Sequence, residues 1–222
     1  MTPDQAKEAA AKAAASLVLD GMIVGLGTGT TAKFAVAALA GRMRDGLRFI
    51  GIPTSEATAE QARSLGIPLS TLDQHPQIDL DIDGADEIDP HTLNVIKGRG
   101  GALLREKIIA TSSKQLVIIA DQSKLVEQLG ARMPVPVEVV PFGWQSTARR
   151  LESLGCRAIL RPGFTTDGGH YILDCSFGPI IDAQALAGKL DATVGVVEHG
   201  LFLGMATQAF VASDQGVQRF HS

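Results

Sequence analysis

Along the first half of the chain, apolar positions switch repeatedly between helical spacing and short continuous runs. Alanines with Leu17 and Val18 predict a helix over residues 3–19. Residues 22–26, Met-Ile-Val-Gly-Leu, predict a short buried strand that opens into a Gly/Thr loop. The alternation continues with a helix over 33–44, a strand over 48–53, a helix over 56–65 and a strand over 78–83. A further helix is predicted over 102–112 and a strand over 115–120, where Gln-Leu-Val-Ile-Ile-Ala reads as buried on both faces. Strands alternating with helices of this length predict an α/β fold, a parallel sheet covered by helices.

The pattern changes at residues 133–141, where Pro134, Pro136 and Pro141 bracket Val135, Val137, Val139 and Val140. A strand there is followed by a helix over 144–154, strands over 157–160 and 170–175, a helix over 182–190 and a strand over 193–197. This βαββαβ order is the split unit of ferredoxin-like α+β domains. Two short apolar runs, 206–212 and 217–220, flank the turn Ser213-Asp214-Gln215-Gly216 and are expected to return to the first domain. The expected division is therefore 1–130 with 203–222, and 131–202 as the smaller domain.

Composition narrows the partners. With 222 residues, 45% hydrophobic and 20% charged, the chain can build one large or two small cores. A net charge of −4, and no Lys/Arg run longer than a pair, give no basic footprint for nucleic acid. No run approaches the ~20 apolar residues that span a bilayer, so no membrane is expected. Asp4, Lys7, Glu8 and Lys12 interrupt the alanines as no signal peptide does. Cys156 and Cys175 lie far apart in sequence without a CxxC pattern, which suits reduced thiols in the cytoplasm and two small core side chains.

Three segments carry candidate chemistry. Residues 25–31, Gly-Leu-Gly-Thr-Gly-Thr-Thr, stand at a strand-to-helix junction, where free N–H groups can meet an anion and the hydroxyls add donors. Thr30 replaces the third glycine of a dinucleotide fingerprint, the P-loop ending is missing, and the same glycines also suit a plain tight turn. Residues 79–89 hold six carboxylates and begin like a calcium loop, but Pro90 stands where a bidentate Glu should close it. The Asp/apolar alternation instead predicts a strand opening into Gly84, with Asp83 and Asp86 at its ligand-binding end and Asp79, Glu87 and Asp89 solvated or ion-paired.

In the third segment, Lys97-Gly98-Arg99-Gly100-Gly101 opens the helix that carries Glu106. At 100° per residue the neighbours of Glu106 are Ala102, Ile109 and Ala110, an apolar sector in which a carboxylate is expected to titrate high, as a proton-abstracting base must. The alternative is a solvated Glu paired with a nearby Lys or Arg. Lys124, after the strand ending at Ala120-Asp121, and Lys7, in the first helix, could each be ordinary solvated lysines. His75, His91, His170, His199 and His221 show no metal-binding spacing, so neither metal nor cofactor is expected.

With GLGTGTTA at Gly25, DIDGADEID at Asp81, KGRGGALLREK at Lys97 and ADQSK at Ala120, the chain resembles ribose-5-phosphate isomerase of the A type over essentially its whole length. The resemblance implies a Rossmann-like domain with a smaller α+β domain, usually in a homodimer or higher homo-oligomer. It also implies metal-independent interconversion of D-ribose 5-phosphate and D-ribulose 5-phosphate through an enediolate, in the non-oxidative pentose phosphate pathway. By the same resemblance Glu106 is the base, and Asp83, Asp86 and Lys97 handle ring opening, hydroxyl protons and oxygen charge. Thr28, Gly29, Thr30, Thr31, Gly84, Ala85, Gly98, Arg99, Gly100 and Lys124, with Lys7 as a looser match, hold the sugar phosphate. The rivals are a sugar-phosphate-sensing regulator domain, which would need a DNA-binding module, and another enzyme such as a sugar-phosphate deaminase or a coenzyme A transferase.

Overall fold

A computed structural model describes all residues, Met1–Ser222. The strands are β1 (Ile23–Leu26), β2 (Ile50–Pro53), β3 (Leu80–Gly84), β4 (Glu87–Ile88), β5 (Val95–Ile96), β6 (Leu116–Asp121), β7 (Val135–Val139), β8 (Arg157–Leu160), β9 (Tyr171–Ser176), β10 (Val196–His199), β11 (Leu201–Phe202), β12 (Ala206–Ser213) and β13 (Gly216–His221). The helices are α1 (Pro3–Ala15), α2 (Ala32–Arg44), α3 (Glu56–Ser64), α4 (Leu103–Thr111), α5 (Trp144–Glu152) and α6 (Ala183–Asp191). They divide into two compact units, Met1–Ala85 with Arg105–Lys124 and Met205–Ser222, and Asp86–Leu104 with Leu125–Gly204.

The first unit holds a sheet ordered β13-β12-β6-β3-β1-β2, parallel except for the β12–β13 hairpin. Its centre is β6, buried from Leu116 to Ala120 because both faces are covered. The α1 helix starts with Thr2 and Gln5 capping each other's backbone N–H groups and Pro3 in the first turn. Its buried face is Ala6, Ala10, Ala11, Ala14 and Ala15, small enough to bring the helix close to β6 and β12. The helix ends at Ala15, short of the expected residue 19; Leu17 and Val18 form a turn that leads to Gly21 at φ 81°.

In the second unit a sheet ordered β10-β7-β9-β8, antiparallel throughout, carries α5 and α6 in the connections of the split βαββαβ unit. The second, three-stranded sheet β11-β5-β4 was not foreseen, since strands of two residues show no alternation. That sheet draws residues 86–104 into the second unit, where a boundary at 130 had left them in the first. The two cysteines also meet here. The Cys156 thiol is held below its usual range by a hydrogen bond with Cys175, whose own thiol is pushed far up by that bond and by burial. No helix is long and apolar enough to cross a membrane.

Candidate active site

A glycine on β1 and a second just beyond its end make room for two aspartates on β3. In parallel register Gly25 faces Asp81, and a Cβ at Gly25 would come 2.5 Å from Asp81 Oδ1 and 2.7 Å from Ile109 Cγ2 of α4. A Cβ at Gly27 would come 2.1 Å from Asp83 Oδ1 and 2.7 Å from Asp83 Cα. The glycines thus let a polar strand pack inside the sheet, with Asp81 and Asp83 on one face because side chains alternate. Asp83 is fully buried, and its Oδ1 accepts the N–H groups of Thr28 (3.1 Å) and Gly84 (2.7 Å).

Beyond Gly27 the loop turns at Gly29, φ 114°, whose carbonyl accepts the Lys33 N–H at 3.1 Å in the first turn of α2. Thr30 is exposed and Thr31 is buried at the start of α2. Thr28 donates to Ser55 Oγ at 2.7 Å and lies 2.7 Å from Thr54 Oγ1 and 3.1 Å from Thr58 Oγ1. Thr54 and Thr58 also reach the carbonyls of Leu26 (3.1 Å) and Gly27 (3.0 Å), so buried hydroxyls hold the loop from beneath. This network escaped the sequence reading, because nothing in Thr54-Ser55-Glu56 marks more than the N-cap of α3.

Glu106 lies on the buried stripe of α4 with Leu103, Ile109 and Ala110, 2% exposed, as its apolar neighbours predicted. The helix begins at Leu103, so Ala102 precedes it. That burial excludes a Glu106 on a solvated helix face. Lys124 closes a single 3-10 turn, Gln122–Lys124, after β6 and is half-buried. Lys7 projects from α1 and pairs with Asp4 at 3.2 Å.

The second unit carries the remaining predicted residues. Asp86, which follows Gly84 and Ala85 of the first unit in the chain, donates its N–H to Ile96 at 2.7 Å, and its Oδ2 accepts the Arg99 N–H at 2.9 Å. Lys97 is buried, with its N–H on the Gly200 carbonyl (2.9 Å) and its ammonium 5.5 Å from the Phe202 ring centroid. The loop then turns at Gly98 and Gly101, both at positive φ, and the Gly101 N–H closes it on the Gly98 carbonyl at 2.9 Å. Arg99 and Gly100 form its exposed tip.

The other carboxylates have separate fates. Asp79 is ion-paired as expected: a hydrogen bond from the Lys114 ammonium at 2.7 Å, then the Ile23 N–H at 2.9 Å, hold its carboxyl below the usual range. Asp89 caps the turn after β4, accepting from His91 N–H (2.9 Å) and Thr92 Oγ1 (2.6 Å). Glu87 corrects the expectation of a solvated or ion-paired acid. It is buried, and its two oxygens accept the N–H groups of Gly130 (2.6 Å), Arg132 (2.7 Å) and Met133 (2.8 Å), which staples that turn to β4.

Two histidines do meet carboxylates, through folding rather than spacing: His170 Nδ1 lies 2.9 Å from Glu138 Oε1, and Asp191, Glu198 and His199 converge in the second unit. His199 Nδ1 accepts the Leu201 N–H at 3.2 Å, so the neutral ring carries its proton on Nε2, 3.1 Å from Asp191 Oδ1. That tautomer turns an N–H, not a lone pair, toward the acids. The cluster is a hydrogen-bonded pair rather than a ligand set.

The family model for ribose 5-phosphate isomerase A (phosphoriboisomerase A) matches residues 50–216. The chain belongs to this family. Ribose-5-phosphate isomerase A of Synechococcus sp. (strain JA-3-3Ab) is 62% identical over 97% of the chain and 96% of the relative's length. The protein of that name from Gloeobacter violaceus is 57% identical over 98% and 96%. Among solved structures, ribose 5-phosphate isomerase A of Methanocaldococcus jannaschii superposes with a TM-score of 0.95 at 38% identity, covering both chains completely. A D-ribose-5-phosphate isomerase in complex with phospho-erythronic acid superposes with a TM-score of 0.97 at 36% identity, again covering both chains completely. A family member over this length is an isomerase, and the regulator, deaminase and transferase readings fall away.

Proposed function

We propose that the chain interconverts D-ribose 5-phosphate and D-ribulose 5-phosphate with Glu106 as the base that carries the proton between the first two carbons. The observation that carries the assignment of the base is a carboxylate 2% exposed on an apolar helix stripe, directly after a lysine–glycine loop. Abstraction from carbon builds negative charge on the neighbouring oxygen, and the resulting enediolate is reprotonated on the adjacent carbon. Asp83, Asp86 and Lys97 manage the hydroxyl protons and that charge. The N–H groups that hold the Asp83 carboxylate, and the buried position of the Lys97 ammonium, support preorganised roles for both.

The phosphate belongs to Thr28, Gly29, Thr30 and Thr31, where a glycine loop precedes α2, with Lys124, Lys7 and the backbone of Gly98, Arg99 and Gly100 as further contacts; Gly84 and Ala85 line the sugar. A phosphate handle supplies binding energy that orients the reacting carbons. The relative solved with phospho-erythronic acid holds a sugar-acid phosphate, whose carboxylate puts charge where an enediolate would carry it. No resident metal or cofactor enters this chemistry, which needs a base and oriented donors and no hydride carrier.

The direct test incubates purified protein with ribose 5-phosphate in excess chelator and follows ribulose 5-phosphate. The expected result is a rate unchanged by chelation. Absence of product overturns the activity, and loss that one divalent ion specifically restores overturns metal independence.

For Lys124→Ala the expected result is a raised KM with kcat nearly kept, because a phosphate-contacting lysine acts about equally in ground and transition states. A collapsed kcat at unchanged KM places Lys124 in the chemistry instead.

The proposal extends to a homodimer or larger homo-oligomer in the cytoplasm. Phe142 and Ile181, 93% and 94% exposed, with Val194, leave apolar surface on the second unit that self-association would cover, and the two free thiols suit a reducing compartment. Sedimentation equilibrium is expected to give a multiple of 23.3 kDa, and a monomer at micromolar concentration excludes the assembly. Fractionation that finds the protein outside the cytoplasm excludes the location.

A further inference from the structure

We infer that Arg161 is a positioning residue for the isomerisation, aiming the backbone of the Gly98-Arg99-Gly100 loop and, through one peptide unit, the Asp86 carboxylate. The inference rests on the assignment above of Asp86, Lys97 and this loop to the substrate.

Arg161 follows β8 directly, and its own N–H is tied to the Ile172 carbonyl of β9 at 2.9 Å, so the side chain starts from a fixed point in the small sheet. Its guanidinium meets Asp174 of β9 through two bonds, Nε to Oδ2 at 3.0 Å and Nη2 to Oδ1 at 2.6 Å. Nη1 then donates to the carbonyls of Arg99 (2.9 Å) and Gly98 (3.3 Å). Four of the five guanidinium N–H groups are thus committed, two to a carboxylate and two to one loop. The Phe164 ring centroid lies 5.5 Å from the guanidinium carbon, and the same ring fills the space that a Cβ at Gly101 would need, 2.1 Å from Phe164 Cζ.

The consequence for the loop follows from peptide geometry. In a trans peptide the carbonyl of one residue and the N–H of the next point in opposite directions, and the chain has no cis bonds. Turning the Gly98 carbonyl toward Arg161 aims the Arg99 N–H the other way, where it meets Asp86 Oδ2 at 2.9 Å. Turning the Arg99 carbonyl toward Arg161 does the same for the N–H of the exposed Gly100, which is thereby presented to an incoming oxygen. A loop built on glycines has many backbone conformations to lose. Arg161, together with the Gly101 N–H that shares the Gly98 carbonyl at 2.9 Å, selects the one in which the Arg99 N–H sits on Asp86 and the Gly100 N–H turns away from the guanidinium. A forked arginine–carboxylate pair suits that task where a lysine does not, because a point charge cannot span a carboxylate and two carbonyls.

The test compares Arg161→Ala and Arg161→Lys with Asp86→Asn and Lys97→Met, using ribose 5-phosphate as substrate and circular dichroism to confirm folding. Arg161→Ala is expected to lose on the order of tenfold or more in kcat/KM, since small displacements of aligned groups are costly. Arg161→Lys is expected to recover little of it. Millimolar guanidinium is expected to restore activity to Arg161→Ala, where sodium chloride of equal ionic strength does not. A folded Arg161→Ala with near-normal kcat/KM, or a loss that guanidinium leaves untouched, overturns the role of Arg161 while Asp86→Asn and Lys97→Met remain impaired. Normal kinetics in both of those variants overturns the site assignment itself, and the positioning role with it. If Arg161→Ala does not fold, Arg161→Lys decides, and full activity there overturns the inference.

Discussion

Glu106→Gln is expected to lower kcat by ~10²–10⁴-fold, the span a positioned general base contributes, while substrate affinity changes little. Glutamine keeps the shape of the side chain and fits the same buried stripe beside Leu103, Ile109 and Ala110. It lacks only the oxygen that can take a proton from carbon. Folding and binding are therefore separated from chemistry, and a KM close to the parent's identifies an interaction made in the transition state alone. The variant should also stop exchanging the second-carbon proton of the substrate with solvent deuterium, because that exchange reports the abstraction step. Persistent exchange in a folded Glu106→Gln protein removes Glu106 as the base and makes Asp83, the other fully buried carboxylate among the assigned residues, the next to test.

How far the chain could be read in advance depended on the length over which each signal repeats. The alternation of β1, α2, β2, α3, β3, α4 and β6 was legible because each carries its own apolar period, and β7 to β10 because prolines and turns separate them. The three-stranded sheet was illegible: Glu87–Ile88, Val95–Ile96 and Leu201–Phe202 are too short for a period, and β5 meets β11 across about a hundred residues of chain. The acids divided in the same way. Asp83 and Glu106 were legible from strand alternation and from a helix face, both local properties. Glu87 was not, because the N–H groups that bury it come from residues 130–133 and leave no mark beside it in sequence. Arg161 escaped for a similar reason, as its partners are backbone carbonyls, which have no sequence signature.

Gly27→Ala should be the most damaging single methyl group in the chain's glycine loop. The added carbon would stand 2.7 Å from the Cα of Asp83, a backbone atom that no side-chain rotation can move, and 2.1 Å from Oδ1 of the same residue. Relief requires β1 and β3 to separate, although the Gly27 N–H is bonded to the Ile82 carbonyl at 3.0 Å across that contact. Overpacking of this kind costs about 1–3 kcal/mol, visible as a lower Tm. The functional cost is larger, because the displaced carboxylate loses the Thr28 and Gly84 N–H groups that fix it. A loss on the order of 10²-fold in kcat/KM is expected from misplacement on the ångström scale. Gly29→Ala separates the two effects. Nothing lies within 4 Å of a Cβ there, so its penalty is the positive φ of 114° and Asp83 stays in place. If Gly27→Ala is soluble, folded and as active as the parent protein, Asp83 does not need the position that the glycine preserves, and its part in the chemistry must be withdrawn.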